Sequence, residues 1–179
     1  MYLPGLIAVV ALAPLGSEPA AIRPGTITVM ADRDRAVPDS VEGMFVDAVQ
    51  HALLKTLFLP LPNPSHSRYV ATITVFRTPR GVVASSDRGS SSGSSVSYGG
   101  GGLALSLPSK KAQLRGLTET RLKVTVSLRG DDRVVWTGQA ITVRVDGTRN
   151  GEPSVIATTL SDALMARFPY RLTETLSVP

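Results

Sequence analysis

Apolar and polar residues alternate along Thr26-Ile-Thr-Val-Met-Ala31, a β-branched run whose period of two predicts a first strand. After a charged connection from Asp32 to Val37 the period changes. Val41, Met44, Phe45, Ala48, Val49, Ala52, Leu53 and Leu57 recur at steps of three and four, which predicts a helix whose single apolar stripe lies on a sheet. Pro38 falls near the first turn of that helix, and Asp39 and Glu42 have the spacing of a capping box. Pro60, Pro62 and Pro64 end it.

Alternation returns from Tyr69 to Phe76. Tyr69, Ala71, Ile73 and Val75 share one face and Val70, Thr72, Thr74 and Phe76 the other; both faces are partly apolar, so the segment reads as an interior strand. Leu103, Leu105 and Leu107 alternate with Ala104 and Ser106 up to Pro108, which reads as a short strand on the far side of a hairpin. Between the two, Ala84 to Gly102 is almost entirely Ser and Gly. So small and polar a stretch buries too little apolar surface to offset its ordering entropy, and a flexible loop at the hairpin tip is expected there.

Arg121 to Arg129 is the cleanest strand, with Leu122, Val124, Val126 and Leu128 inward and Arg121, Lys123, Thr125, Ser127 and Arg129 outward. Past the turn Gly130-Asp131-Asp132, Val134 and Trp136 stand in one phase and Ile141, Val143 and Val145 in the other. A bulge near Gly138-Gln139 would reconcile them. Ile156, Leu160, Ala163, Leu164 and Phe168 then form the stripe of a second helix that closes at Pro169. The order β-α-β-β-β-β-α predicts an α+β two-layer sandwich, a mostly antiparallel sheet with two helices packed on one face.

Length and composition narrow this picture. At 179 residues, 42% hydrophobic and 18% charged, the chain has the makings of one folded domain. It contains no Cys, which excludes disulfides, thiolate nucleophiles and Cys-based zinc or iron-sulfur sites. Residues 1–22 combine an apolar stretch with small residues after it, the pattern of a secretory signal, although the positive n-region of such signals is missing. This divides the chain into a leader, 1–22, and a single domain, 23–179. It also points to a periplasmic or secreted location, with the cytoplasm as the alternative. The apolar part, Leu6 to Leu15, is well short of the roughly 20 residues of a membrane span, so no transmembrane segment is expected.

The net charge of +5 is unevenly placed. Between Arg68 and Arg129 ten basic residues face only Asp87 and Glu119. Arg77, Arg80 and Arg88 lead into the Ser/Gly stretch and Lys110, Lys111 and Arg115 leave it. Antiparallel pairing would gather these six at the loop base as a candidate site for an anionic surface, without specific nucleic-acid readout. The competing reading is a solvated polar face.

The remaining motifs carry little chemistry. Gly89-Ser-Ser-Ser-Gly93 matches a nucleophile elbow in letters, but no helix follows, and His51 and His66 both precede the serines. Gly99 to Gly102 runs into a strand, whereas a phosphate loop opens a helix. His51, on the polar flank of the first helix, and His66, in the Pro-rich loop, read as surface histidines. Trp136 reads as a core anchor whose indole N–H finds a backbone acceptor. No catalytic, cofactor-binding or metal-ligating residue is assigned.

Leu122-Lys-Val-Thr-Val-Ser-Leu128, Val135-Trp136-Thr137-Gly138-Gln139-Ala140 and the helix closing on Arg167-Phe168-Pro169 together resemble an uncharacterised family of bacterial cell-envelope domains. Many of those domains occur in small exported lipoproteins and carry a Gly/Ser-rich insertion before the Val-Trp-x-Gly strand. The resemblance spans about residues 26–170 and implies an α+β envelope domain of no established activity. This chain lacks the Cys that lipoprotein members acylate. The resulting expectation is a non-enzymatic binding or assembly module, without a cofactor, whose partner is another envelope protein. The alternatives are a polyanion-binding module using the basic hairpin and a hydrolase whose site is assembled only in three dimensions.

Overall fold

A computed structural model of the chain describes residues 22–32, 37–85 and 113–179. The strands are β1 (Thr26–Ala31), β2 (Leu59–Pro60), β3 (Tyr69–Ser85), β4 (Gln113–Leu128), β5 (Val134–Val145) and β6 (Leu176–Ser177), with the β-branched alternating runs in β1, β3, β4 and β5. They make one sheet in the order β2-β1-β3-β4-β5-β6. Long antiparallel ladders join β3 to β4 and β4 to β5, while short parallel pairings add β1, β2 and β6 at the flanks. Helices α1 (Asp39–Leu53) and α2 (Pro153–Met165) complete the expected α+β sandwich.

The phase read from the sequence decides which side the helices cover. Ile27 and Val29 of β1, Ala71, Ile73 and Val75 of β3, and Leu122, Val124 and Val126 of β4 are all buried on one face. Onto this face α1 lowers Phe45, Val49, Ala52 and Leu53, and α2 lowers Ile156, Ala157, Leu160, Leu164 and Met165. Each of the larger side chains contributes roughly 1.5–3 kcal/mol by leaving water. Each helix returns antiparallel to the strand before it, and β1 and β5 point the same way. The two helices therefore run parallel, with Met44, His51 and Lys55 of the first segment facing Ser154, Thr158 and Asp162 in the same order.

An aromatic cluster closes one end of the core. Phe58 packs at a tilt against Phe168 with ring centroids 4.6 Å apart, Trp136 meets Phe168 edge-on at 5.0 Å, and Tyr69 meets Phe58 edge-on at 5.8 Å. Trp136 is 4% exposed and its indole nitrogen donates to the Tyr170 carbonyl at 2.8 Å, as expected of a core anchor. Ile22, assigned to the leader by the sequence pattern, packs against this core; residues 1–21 lie outside the described residues.

Four expectations need correction. Asp39 and Glu42 make no capping box: Pro38 is the N-cap, no side chain caps the helix, and the Pro38 carbonyl accepts from the amides of Val41 and Glu42. α1 ends at Leu53, and Leu57, placed on its stripe, is 82% exposed in the turn that follows. α2 ends at Met165, so Phe168, placed on its stripe, sits in the turn that follows although still buried; the short strand read at Leu103 to Leu107 lies outside the described residues. In β5 the extra residue is Val135, opposite the step from Val126 to Ser127, and not one near Gly138. From Trp136 onward the even residues therefore face the helices, and Ile141 and Val143 turn to the far side of the sheet. The reason is steric. The Trp136 ring lies over Gly138, where any Cβ would overlap it and press on Leu164, so this glycine serves packing instead of a bulge.

Candidate functional site

β3 and β4 outrun their neighbours. Pairing between β1 and β3 stops at Ala31 opposite Ile73, and pairing between β5 and β4 stops at Val145 opposite Leu117. Beyond these points Val82, Val83, Ala84 and Ser85 pair with Gly116, Arg115, Leu114 and Gln113 as a two-stranded arm. The arm is set off by an irregularity at Pro79, Arg80 and Gly81; Gly81 has φ +142°, which only glycine adopts without strain. Val82 and Leu114 are 67% and 73% exposed on it.

Charge collects at the base of the arm, but in pairs. Glu119, only 7% exposed, sits between two guanidinium groups: Arg80 Nε donates to its Oε2 at 2.7 Å and Arg121 Nη2 to its Oε1 at 3.1 Å. Asp146 accepts from Thr118 Oγ1 at 2.7 Å and lies 3.5 Å from Arg77 Nη2. Arg115 Nη1 donates to the Gly147 carbonyl at 3.3 Å. Among the six cations singled out by the sequence, Arg77, Arg80 and Arg115 lie on β3 and β4 near the base of the arm, each against a different partner; Arg88, Lys110 and Lys111 lie outside the described residues. Arg77 shares its register row with Thr120, on the side of the helices, whereas Arg80 joins Glu119 on the opposite side.

The seam between α1 and α2 opens outward as a groove of about 350 Å³ lined by Met44, Asp47, Ala48, His51, Lys55, Ser154, Thr158 and Asp162. It gathers the residue types a hydrolase needs, without joining them. Lys55 Nζ holds Asp162 at 2.7 Å, Thr158 Oγ1 donates to the Ser154 carbonyl at 3.0 Å, and His51 has no hydrogen bond among the described residues. His66 is exposed and meets only its neighbour Ser65, Nδ1 to Oγ at 3.0 Å. No group of three His, Cys, Asp or Glu capable of holding a metal occurs among the described residues. No helix among them is long and apolar enough to cross a membrane.

The linear pattern did not single out how charge divides between the layers. α1 and α2 carry Asp39, Glu42, Asp47 and Asp162 and no Lys or Arg at all. β3, β4 and β5 carry Arg77, Arg80, Arg115, Arg121, Lys123 and Arg144 against Glu119 alone. The signal was available in the sequence, but only as a count per element once the elements are delimited.

No protein-family model and no curated protein matches this chain.

Proposed function

We propose that this chain is an exported domain of the bacterial envelope that works by binding or assembly and not by catalysis. The observation that carries the proposal is the arm. A two-stranded ribbon is marginally stable in water by itself, and this one exposes Val82 and Leu114 beside arginines, the mixture of apolar and Arg side chains that interfaces favour. The Val-Trp-x-Gly stretch supports the envelope assignment by resemblance, and its residues have a packing role here: Trp136 needs Gly138 beneath its ring. The groove at His51 adds no bonded nucleophile and base.

The test is a photocrosslinking amino acid placed at Val82, at Leu114 and, as a control, at Asp131 in the turn between β4 and β5. Adducts from position 82 that disappear with Leu114→Asp, and adducts from position 114 that disappear with Val82→Asp, with none from position 131, support an arm-mediated partner. Adducts of equal yield from all three positions overturn it.

Arg80 and Arg115, toward the arm on the far side of the sheet, favour a second reading, a site for an anionic surface at the same end of the molecule. It predicts binding to anionic vesicles that weakens as salt rises and weakens again in Arg115→Glu. Salt-independent binding, or binding unchanged by Arg115→Glu, removes it.

A further inference from the structure

We infer that the chain stacks on copies of itself, the acidic helix layer of one molecule seated on the basic open face of the next molecule's sheet. The two faces are opposite sides of one sandwich and of opposite sign. On the helix side, Asp39 and Asp47 are exposed and Glu42 and Asp162 partly so. Lys55, just past α1, is the cation that meets them, bound to Asp162. On the far side, the cross-strand rows Thr74, Lys123, Gln139 and Phe76, Arg121, Ile141 lie side by side, with Lys123 exposed at the centre and Arg80 and Arg115 toward the arm. Two acids lie among them: Glu119, nearly buried and already held by Arg80 and Arg121, and Asp32, exposed just past β1 and accepting from Thr74 Oγ1 at 3.3 Å.

Both faces also offer apolar contact. Met30, Phe76 and Val143 are 44%, 37% and 45% exposed on the sheet, and Met44 is 42% exposed at the helix groove. Like faces repel, so helix on helix or sheet on sheet is disfavoured and the contact is head-to-tail. A contact of that kind propagates into open chains unless its rotation closes a ring.

The magnitude of the contact follows from the sheet. Four strands spaced about 4.8 Å, each about ten residues long at 3.3 Å, give a flat area on the order of 600 Å², below the roughly 800 Å² per partner of a stable complex. Stacking is accordingly weak, concentration-dependent and, being electrostatic, suppressed by salt. It is independent of the arm proposed above: either can fail while the other holds.

Sedimentation velocity of the full chain over a range of concentrations tests this, at low salt and at about 0.5 M salt. The expected result is a weight-average mass that rises with concentration at low salt and returns to monomer at high salt. Asp47→Lys and Lys123→Glu each change one exposed residue, on opposite faces, and each should stay monomeric with an unchanged melting temperature. Mixed together they should associate, because the intact helix layer of Lys123→Glu meets the intact sheet face of Asp47→Lys. Wild type that is monomeric at every concentration overturns the inference. So does association that survives either substitution, and so does a closed dimer abolished by Val82→Asp but not by Asp47→Lys.

Discussion

Trp136 is where a single residue bears most on stability. Its ring fills the space between Phe168, Gly138 and Leu164, and its indole hydrogen bond to Tyr170 ties the C-terminal segment to the sheet. Trp136→Ala should cost about 3–5 kcal/mol in urea unfolding, and the native fluorescence should be blue-shifted relative to the unfolded chain. Wild-type stability with solvent-like emission would place the ring at the surface. Gly138→Ala tests the same contact from the other side: one methyl group pressed into that ring should cost about 1–3 kcal/mol. Glu119 is a different case. Arg80 and Arg121 remain about half exposed, so solvent screens the attraction, and Glu119→Gln should lower stability by only about 1 kcal/mol. The tryptophan's role was legible in the sequence because a lone aromatic in an apolar phase has few other places to go. The partners of Arg80 and Arg121 were not, since Glu119 sits between them only after β3 and β4 pair in register.

Among the elements, the arm combines local and long-range information. Alternation in Tyr69–Phe76 and Arg121–Arg129 marks strands, and both are present, but each extends well beyond the run that announces it. Residues such as Thr78, Pro79 and Gly81 carry no strand pattern of their own. They are held extended because a partner strand supplies hydrogen bonds, which no local propensity records. Ser85 and Gln113 are register partners, and the chain between them is the 27 residues from 86 to 112. Replacing them with a four-residue Gly-containing turn shortens that connection nearly sevenfold. At about 0.6 kcal/mol per halving, stability should rise by about 1–2 kcal/mol. A drop in melting temperature, or an insoluble product, would show that the replaced segment contributes contacts.

At the scale of the whole molecule, export is the prediction that the apolar leader makes. Mature protein recovered outside the cytoplasm, with an N-terminus near residue 22, is the expected result of fractionation and N-terminal sequencing. Cytoplasmic protein with Met1 intact would refute it. The position of Ile22 against the core sets a further expectation: cleavage falls at or before residue 21, so that Ile22 stays with the domain.

Local pattern suffices to place β1, α1, α2 and the central part of β4, to say which of their faces is apolar and, with no Cys, to assign stability to packing. Those features depend on period and residue type within a dozen positions. The rest depends on which distant segments pair. Parallel pairing of β1 with β3, the bulge at Val135 that sends Ile141 and Val143 to the far face, and the carboxylates set against Arg77 and Arg80 are of this kind. A one-residue change of register reverses every side chain of a strand, and the winning register is the one that lets Trp136 lie over a glycine and the helices close on a continuous apolar face. The acidic helix layer opposite a basic far face follows from the same pairing, which puts Arg121 and Lys123 on that face and leaves Arg77 and Arg144 on the helix side.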